Sequence, residues 1–216
     1  MTRKMQRAKR PAMLWMGVVL SAVSAETASQ QCFDEAPSVV DGGDPYDAIE
    51  PTRLDSKGRR AIEKLFERLE GRWSGSSKGY FCRGRTGSAR KEADDYRIEM
   101  NASRGSANAI SLTSNLTSND NTITRTEKLH LYLSENTLRA DRDDPAGDVR
   151  ILQMAQDGSV IVFLQKVISG SGSAGDLWVR ETRHRIQVSA TSLTIEYEVY
   201  FVGGLDSVST WKLKKK

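Results

Sequence analysis

Along most of this chain apolar and polar residues alternate. Tyr96, Ile98, Met100 and Ala102 alternate with Arg97, Glu99, Asn101 and Ser103, and Ile110, Leu112 and Leu116 alternate with Ser111, Thr113 and Asn115. The same period of two recurs at Leu129, Leu131 and Leu133, at Leu193, Ile195, Tyr197, Val199 and Phe201, and at Trp211 and Leu213. Each run predicts a strand with one buried and one wet face. Turn signals separate the runs at Asn119-Asp120-Asn121, between Asp143 and Asp148, at Asp157-Gly158 and at Gly203-Gly204. About ten strands fit after Gly71, and their connections are too short for crossover helices, so sequential antiparallel pairing is expected. So long a meander must hide its edges. Closure into an up-and-down barrel does this most simply.

One segment keeps the helical period instead. Ile62, Leu65, Phe66 and Leu69 fall at i, i+3, i+4 and i+7, which predicts a helix over 57–70, capped at Asp55 or Ser56 and stopped at Gly71. The fold class is therefore all-β, an antiparallel barrel of about ten strands with one short N-terminal helix. The run Val160 to Leu164 is apolar on both faces, so something must cover its outer side. The helix is expected either to pack there or to plug one end of the barrel.

The N-terminus changes the charge picture. Arg3, Lys4, Arg7, Lys9 and Arg10 precede an apolar run from Pro11 to Ala25 with small residues at Val23 and Ala25, which reads as a signal peptide cleaved before Glu26. The run is shorter than the roughly twenty residues a membrane-spanning helix needs. The expected organisation is a signal peptide over 1–25, an irregular arm over 26–54 and a helix-plus-barrel domain over 55–216. The expected location is periplasmic or secreted. Five of the 32 basic residues and none of the 28 acidic ones lie in the segment removed, so the remainder carries 27 against 28, a net charge of −1. No global basic footprint for nucleic acid survives. Cys32 and Cys82 are the two cysteines of the chain, and in an oxidising compartment they are expected to pair, tying the arm to the first strand.

Chemical signatures are sparse. The two histidines, His130 and His184, exclude a multi-histidine metal site, and no metal or cofactor is expected. No Gly-x-Ser-x-Gly occurs, and the acidic pair Asp94-Asp95 reads as a hydrated turn. On the strand predicted over 177–189, Trp178, Arg180, Thr182, His184, Ile186 and Val188 share one parity, which carries Arg180, Thr182 and His184 to the interior with their apolar neighbours. An inward guanidinium is costly unless an anion meets it. Arg180 is therefore expected to anchor an acidic head group, or else to serve as a structural partner inside the wall.

At the junction of helix and sheet, Leu69-Glu70-Gly71-Arg72-Trp73-Ser74-Gly75 resembles the Gly-x-Trp opening of the lipocalin-like (calycin) barrels. The strand count is closer to the fatty-acid-binding and nitrobindin-like members than to the eight-stranded lipocalins. The resemblance implies a closed barrel whose Trp73 seals one end, an internal cavity for a small apolar or amphipathic ligand, and a late basic residue packed on the Trp, a role Arg180 would fill. Trp73, Trp178, Arg180, His184 and Tyr197 are then the candidate wall residues, in a non-enzymatic carrier or sensor. Two other readings stay open: an envelope protein that binds a protein partner, or inhibits one, through its outer surface, and a haem-binding or enzymatic barrel using His184.

Overall fold

The computed structural model describes residues 31–141, 147–170 and 177–216. The expected signal peptide lies outside them, as do part of the acidic turn before Asp148 and most of the Gly/Ser loop after Ser169. Eleven strands follow two helices. The helices are α1 (Pro37–Val40) and α2 (Ser56–Leu69). The strands are β1 (Gly71–Arg83), β2 (Arg90–Ala93), β3 (Tyr96–Ser106), β4 (Ala109–Ser118), β5 (Thr124–Ser134), β6 (Thr137–Asp141), β7 (Asp148–Met154), β8 (Val160–Ser169), β9 (Trp178–Val188), β10 (Ser192–Phe201) and β11 (Gly204–Lys215). Ten of them form a nearly closed antiparallel barrel in the order β6-β5-β4-β3-β1-β11-β10-β9-β8-β7, and β2 adds to the far end of β1. Strand β1 closes the meander by pairing with both β3 and β11.

The remaining seam lies between β6 and β7. At one level Ala140 bridges Gly147, and the Gln165 side-chain amide donates to the Ala140 carbonyl at 2.7 Å. At the other the arm takes the place of a ladder. Thr52 N–H donates to Val149 O, Thr52 Oγ1 accepts from Ile151 N–H, and Leu54 N–H donates to Asn136 O. A segment that reads as irregular thus satisfies backbone groups that an open seam would leave to water.

Helix α2 closes one end of the barrel. Its buried stripe of Ile62, Leu65, Phe66 and Leu69 joins Trp73, Phe163, Ile186 and Leu213 in one continuous core. Polar contacts around its rim reach three successive hairpin ends, with Glu67 on Arg104, Arg59 on Asn136 and Arg68 on Asp157. The β7–β8 turn approaches so closely that a Cβ on Gly158, itself at φ +71°, would lie 2.5 Å from Leu65 N. Asp55 caps the helix by accepting from Gly58 N–H at 2.7 Å. Asp55→Ala is expected to cost about 1 kcal/mol in urea unfolding, and Asp55→Asn close to nothing.

With its stripe spent on the barrel end, α2 does not lie over the outer face of β8. The arm does so in part. Cys32 and Cys82 are bonded, with Cα atoms 5.6 Å apart, and the chain then adds to the β10–β11 turn through Glu35 and Gly204. Ser38, in α1, directs both its N–H and its hydroxyl at the Glu181 carboxylate of β9, and Lys166 Nζ of β8 lies 3.5 Å from the same hydroxyl. All three side chains are buried, and burial holds the Lys166 amine below its ordinary range.

Candidate functional site

The middle of the barrel is filled by its own side chains. Phe163 stacks on His184 with ring centroids 4.5 Å apart, His184 meets the edge of Tyr197 at 5.3 Å, and Tyr197 meets Trp211 at 5.1 Å. His184 Nε2 lies 3.2 Å from Gln165 Oε1, which hydrogen-bonds a ring that is wholly withdrawn from solvent. The buried Gln165 side chain is thereby engaged at both ends, its oxygen by the His184 ring and its amide by the Ala140 carbonyl.

Above this stack, at the end opposite α2, the barrel opens into a cavity of about 520 Å³. Arg125 dominates one wall. Its Nε lies 3.0 Å from Glu127, its Nη2 3.4 Å from Asp94, and its guanidinium covers the Tyr96 ring at 4.4 Å. Burial, together with the hydrogen bond to Asp94, holds the Tyr96 hydroxyl above its usual range. The facing wall carries Arg180, Val199, Phe201 and Asp206, with Phe81 beside them. A narrower recess of about 60 Å³ leads down to Tyr197, Ser209 and Trp211.

Strand register explains why charge gathers here. On β5, Arg125 and Glu127 share the parity of Leu129 and Leu131, so the positions that are leucine in the core become charged where the strand reaches the mouth. On β11 the pairing to β10 skips a residue. Val199 faces Ser207 and Tyr200 faces Leu205, so Asp206 is the extra residue of a bulge, and both Asp206 and Ser207 line the cavity. Burial raises the Asp206 carboxyl above its ordinary range, opposed by a hydrogen bond from Ser207.

Of the five candidate wall residues, Arg180 and Tyr197 come together at the cavity and its recess. His184 lies beneath them inside the aromatic stack. Trp178 is half-buried at the start of β9, opposite Ser169. Trp73 sits at the closed end, fully buried, with its indole N–H donating to Leu69 O at 2.7 Å. The basic group over its ring is Lys215, at 5.2 Å, rather than Arg180. The register accounts for this, since Trp73 faces Lys215 across β1 and β11 while Arg180 lies at the opposite end of β9.

Sequence reasoning passed over Asp94, Tyr96, Arg125, Glu127 and Asp206. Asp94 does sit in the connection between β2 and β3, but instead of being simply hydrated it lines the cavity, where Arg125 reaches across to it. Parity with Leu129 was a usable signal for Arg125 and Glu127. None existed for Asp206, whose orientation depends on the bulge.

No family model matches this chain, and no curated protein matches it. Among solved structures it is similar to the S-type phycobiliprotein lyase CPES of Guillardia theta, with a TM-score of 0.48 and 12% identity, over 76% of this chain and 98% of that one. It is also similar to a putative thioesterase II of Thermobifida fusca YX, with a TM-score of 0.19 and 13% identity, over 80% of this chain and 91% of that one. Among the described residues, no helix is long and apolar enough to cross a membrane.

Proposed function

We propose that this protein is an exported, non-enzymatic barrel of the lipocalin-like kind that holds a small amphipathic ligand at its open end, as a carrier or sensor. One observation carries the reading. The interior is packed from α2 up to Tyr197 and Trp211, and opens at the mouth into a cavity where charged and aromatic side chains converge. Its volume falls within the roughly 300–1,000 Å³ of small-molecule sites. Export is supported by the signal-like residues 1–25 and by the Cys32–Cys82 bond, which suits an oxidising compartment. Arg180 and Tyr197 touch the ligand in this reading, while Trp73 and His184 set the floor and wall beneath it. A catalytic His184 is disfavoured by its position between Phe163 and Tyr197, below the cavity.

Native mass spectrometry of protein taken from its own host tests the proposal. The expected result is a co-purifying small molecule that is absent from Val199→Trp, a substitution that fills the mouth. Bare protein mass in both, with no change of Trp211 emission across a panel of amphiphiles, would defeat it.

A further inference from the structure

Two voids follow one another beneath the mouth, and the side chains between them limit how deep a ligand can reach. The recess of about 60 Å³ ends on Tyr197 and Trp211. A second void, of about 10 Å³, touches the same two rings and is lined also by Met100, Leu112 and Ser114. It is the deeper of the two, since Met100 pairs with Trp73 of the closed end. Glu127, Tyr197 and Trp211 border both voids and so form the partition. At about 10–15 Å³ for each water-sized group, the recess takes roughly four of them and the deeper void at most one. A methylene is close to that size.

The partition is held from several sides. Tyr197 and Trp211 stand on the paired strands β10 and β11, where Tyr197 faces Ser209 and Ile195 faces Trp211. Their rings meet edge to face at 5.1 Å, and both are buried. The Trp211 indole N–H donates to Ser209 Oγ at 3.1 Å, which fixes the plane of the indole. Beneath Tyr197 lies the His184 ring at 5.3 Å, itself stacked on Phe163 and hydrogen-bonded to Gln165. Arg125 holds the Glu127 carboxylate at 3.0 Å. Rings packed in this way have no free volume into which to swing. A long chain entering from the mouth would have to pass them.

We infer that the mouth takes a compact amphiphile, with a polar body of ring size and an inserted apolar part of no more than about four carbons, and that it excludes long-chain lipids. Tyr197, Trp211 and Glu127 set the limit. The inference rests on the reading of the mouth as a ligand site and assigns the size class of what it holds. The bulk of the ligand lies in the mouth, where the cavity measures about 520 Å³ against about 60 Å³ in the recess. Its short apolar end passes Val199, which borders both, and stops on the Trp211 indole. This departs from the fatty-acid-binding barrels that the opening of β1 resembles. The space a long chain would need is filled here by the protein's own rings.

Calorimetric titration with two series of uncharged probes tests this. The series are alkyl glucosides and alkyl 4-hydroxybenzoates, each with methyl, butyl, hexyl and octyl chains kept below their micellar or solubility limits. Affinity is expected to rise at least tenfold from methyl to butyl, by at most about fourfold per methylene, and to change less than twofold from butyl to octyl. Tyr197→Ala joins the recess to the void beneath it and should make the octyl probe bind at least tenfold more tightly than the butyl probe. Tyr197→Leu should move the break in the same direction by less. An unbroken rise to octyl in the parent would overturn the length limit and leave the mouth as a ligand site. A break that both folded variants leave in place would overturn the part assigned to Tyr197. If neither series binds at any length, the ligand-site reading falls and the limit with it. The parent's two series decide the limit even if both variants fail to fold.

Discussion

Trp73→Ala is expected to lower stability by about 3–5 kcal/mol, the range for deleting a large aromatic side chain from a packed core. The side chain is fully buried and is among the largest in the barrel. It does more than occupy volume. The indole N–H donates to Leu69 O at the last turn of α2, so one side chain both fills the closed end and satisfies a carbonyl that helix termination leaves without an intrahelical partner. Lys215 lies over its ring from β11, bringing the first and last strands to the same residue. Alanine would leave a cavity between α2, β1 and β3 that these rigid neighbours cannot fill. Trp73→Phe would keep most of the buried area and lose the hydrogen bond, for about 1–3 kcal/mol. At about 2–4 °C per kcal/mol for a domain of this size, the alanine variant should melt on the order of 10 °C below the parent. Urea unfolding followed by far-ultraviolet circular dichroism measures both. A loss under 1 kcal/mol for the alanine variant would mean that α2 and the barrel end are not coupled through this residue.

What was legible in the sequence follows from where side chains carry the information. Strands β3 and β4 bury alternate residues along most of their length, and β5 and β10 do so at Leu129 and Leu131 and from Leu193 to Tyr197, and burial on one face leaves a period of two that is visible without coordinates. The stripe of α2 was equally visible, as was a cap at Asp55 or Ser56, of which the structure uses Asp55. Strand β2, Arg90-Lys91-Glu92-Ala93, has no buried face and exists because the far end of β1 offers it a free edge. The arm is held by backbone hydrogen bonds at Thr52 and Leu54, and such bonds leave no mark on residue type. The candidate site divides along the same line. The common parity of Arg180, Thr182, His184 and Ile186 was readable, but how far each sits from the open end was not, and depth separates a cavity residue such as Arg180 from a packing residue such as His184. Asp206 was hidden altogether, since its direction depends on a pairing slip between β10 and β11 that alternation alone contradicts.

Removing the Cys32–Cys82 bond, through Cys32→Ser with Cys82→Ser, is expected to cost about 2–5 kcal/mol. The two residues are 50 apart in sequence, and the entropy of closing a loop of that length corresponds to about 4 kcal/mol at room temperature, all of it exerted on the unfolded chain. The native arm has other holds. Phe33 N–H donates to Leu205 O, Leu205 N–H donates to Asp34 O, and Ala36 N–H donates to Gly203 O. Further along, Ser38 engages Glu181. These keep the arm in place once the protein is folded, so the double variant should show the parent's circular dichroism spectrum at room temperature while melting roughly 10 °C lower. The cost is global because it acts on the unfolded chain, and because the folded arm, which stitches the seam between β6 and β7 at Thr52 and Leu54, comes away together with the barrel. Two measurements check the account. Thiol titration of the folded, unreduced parent should find no reactive cysteine, and two reactive thiols would refute the bond itself. Hydrogen exchange of the double variant should show protection lost across arm and barrel together. Loss confined to 31–41 with an unchanged melting temperature would instead make the bond a local clip that leaves the barrel indifferent to it.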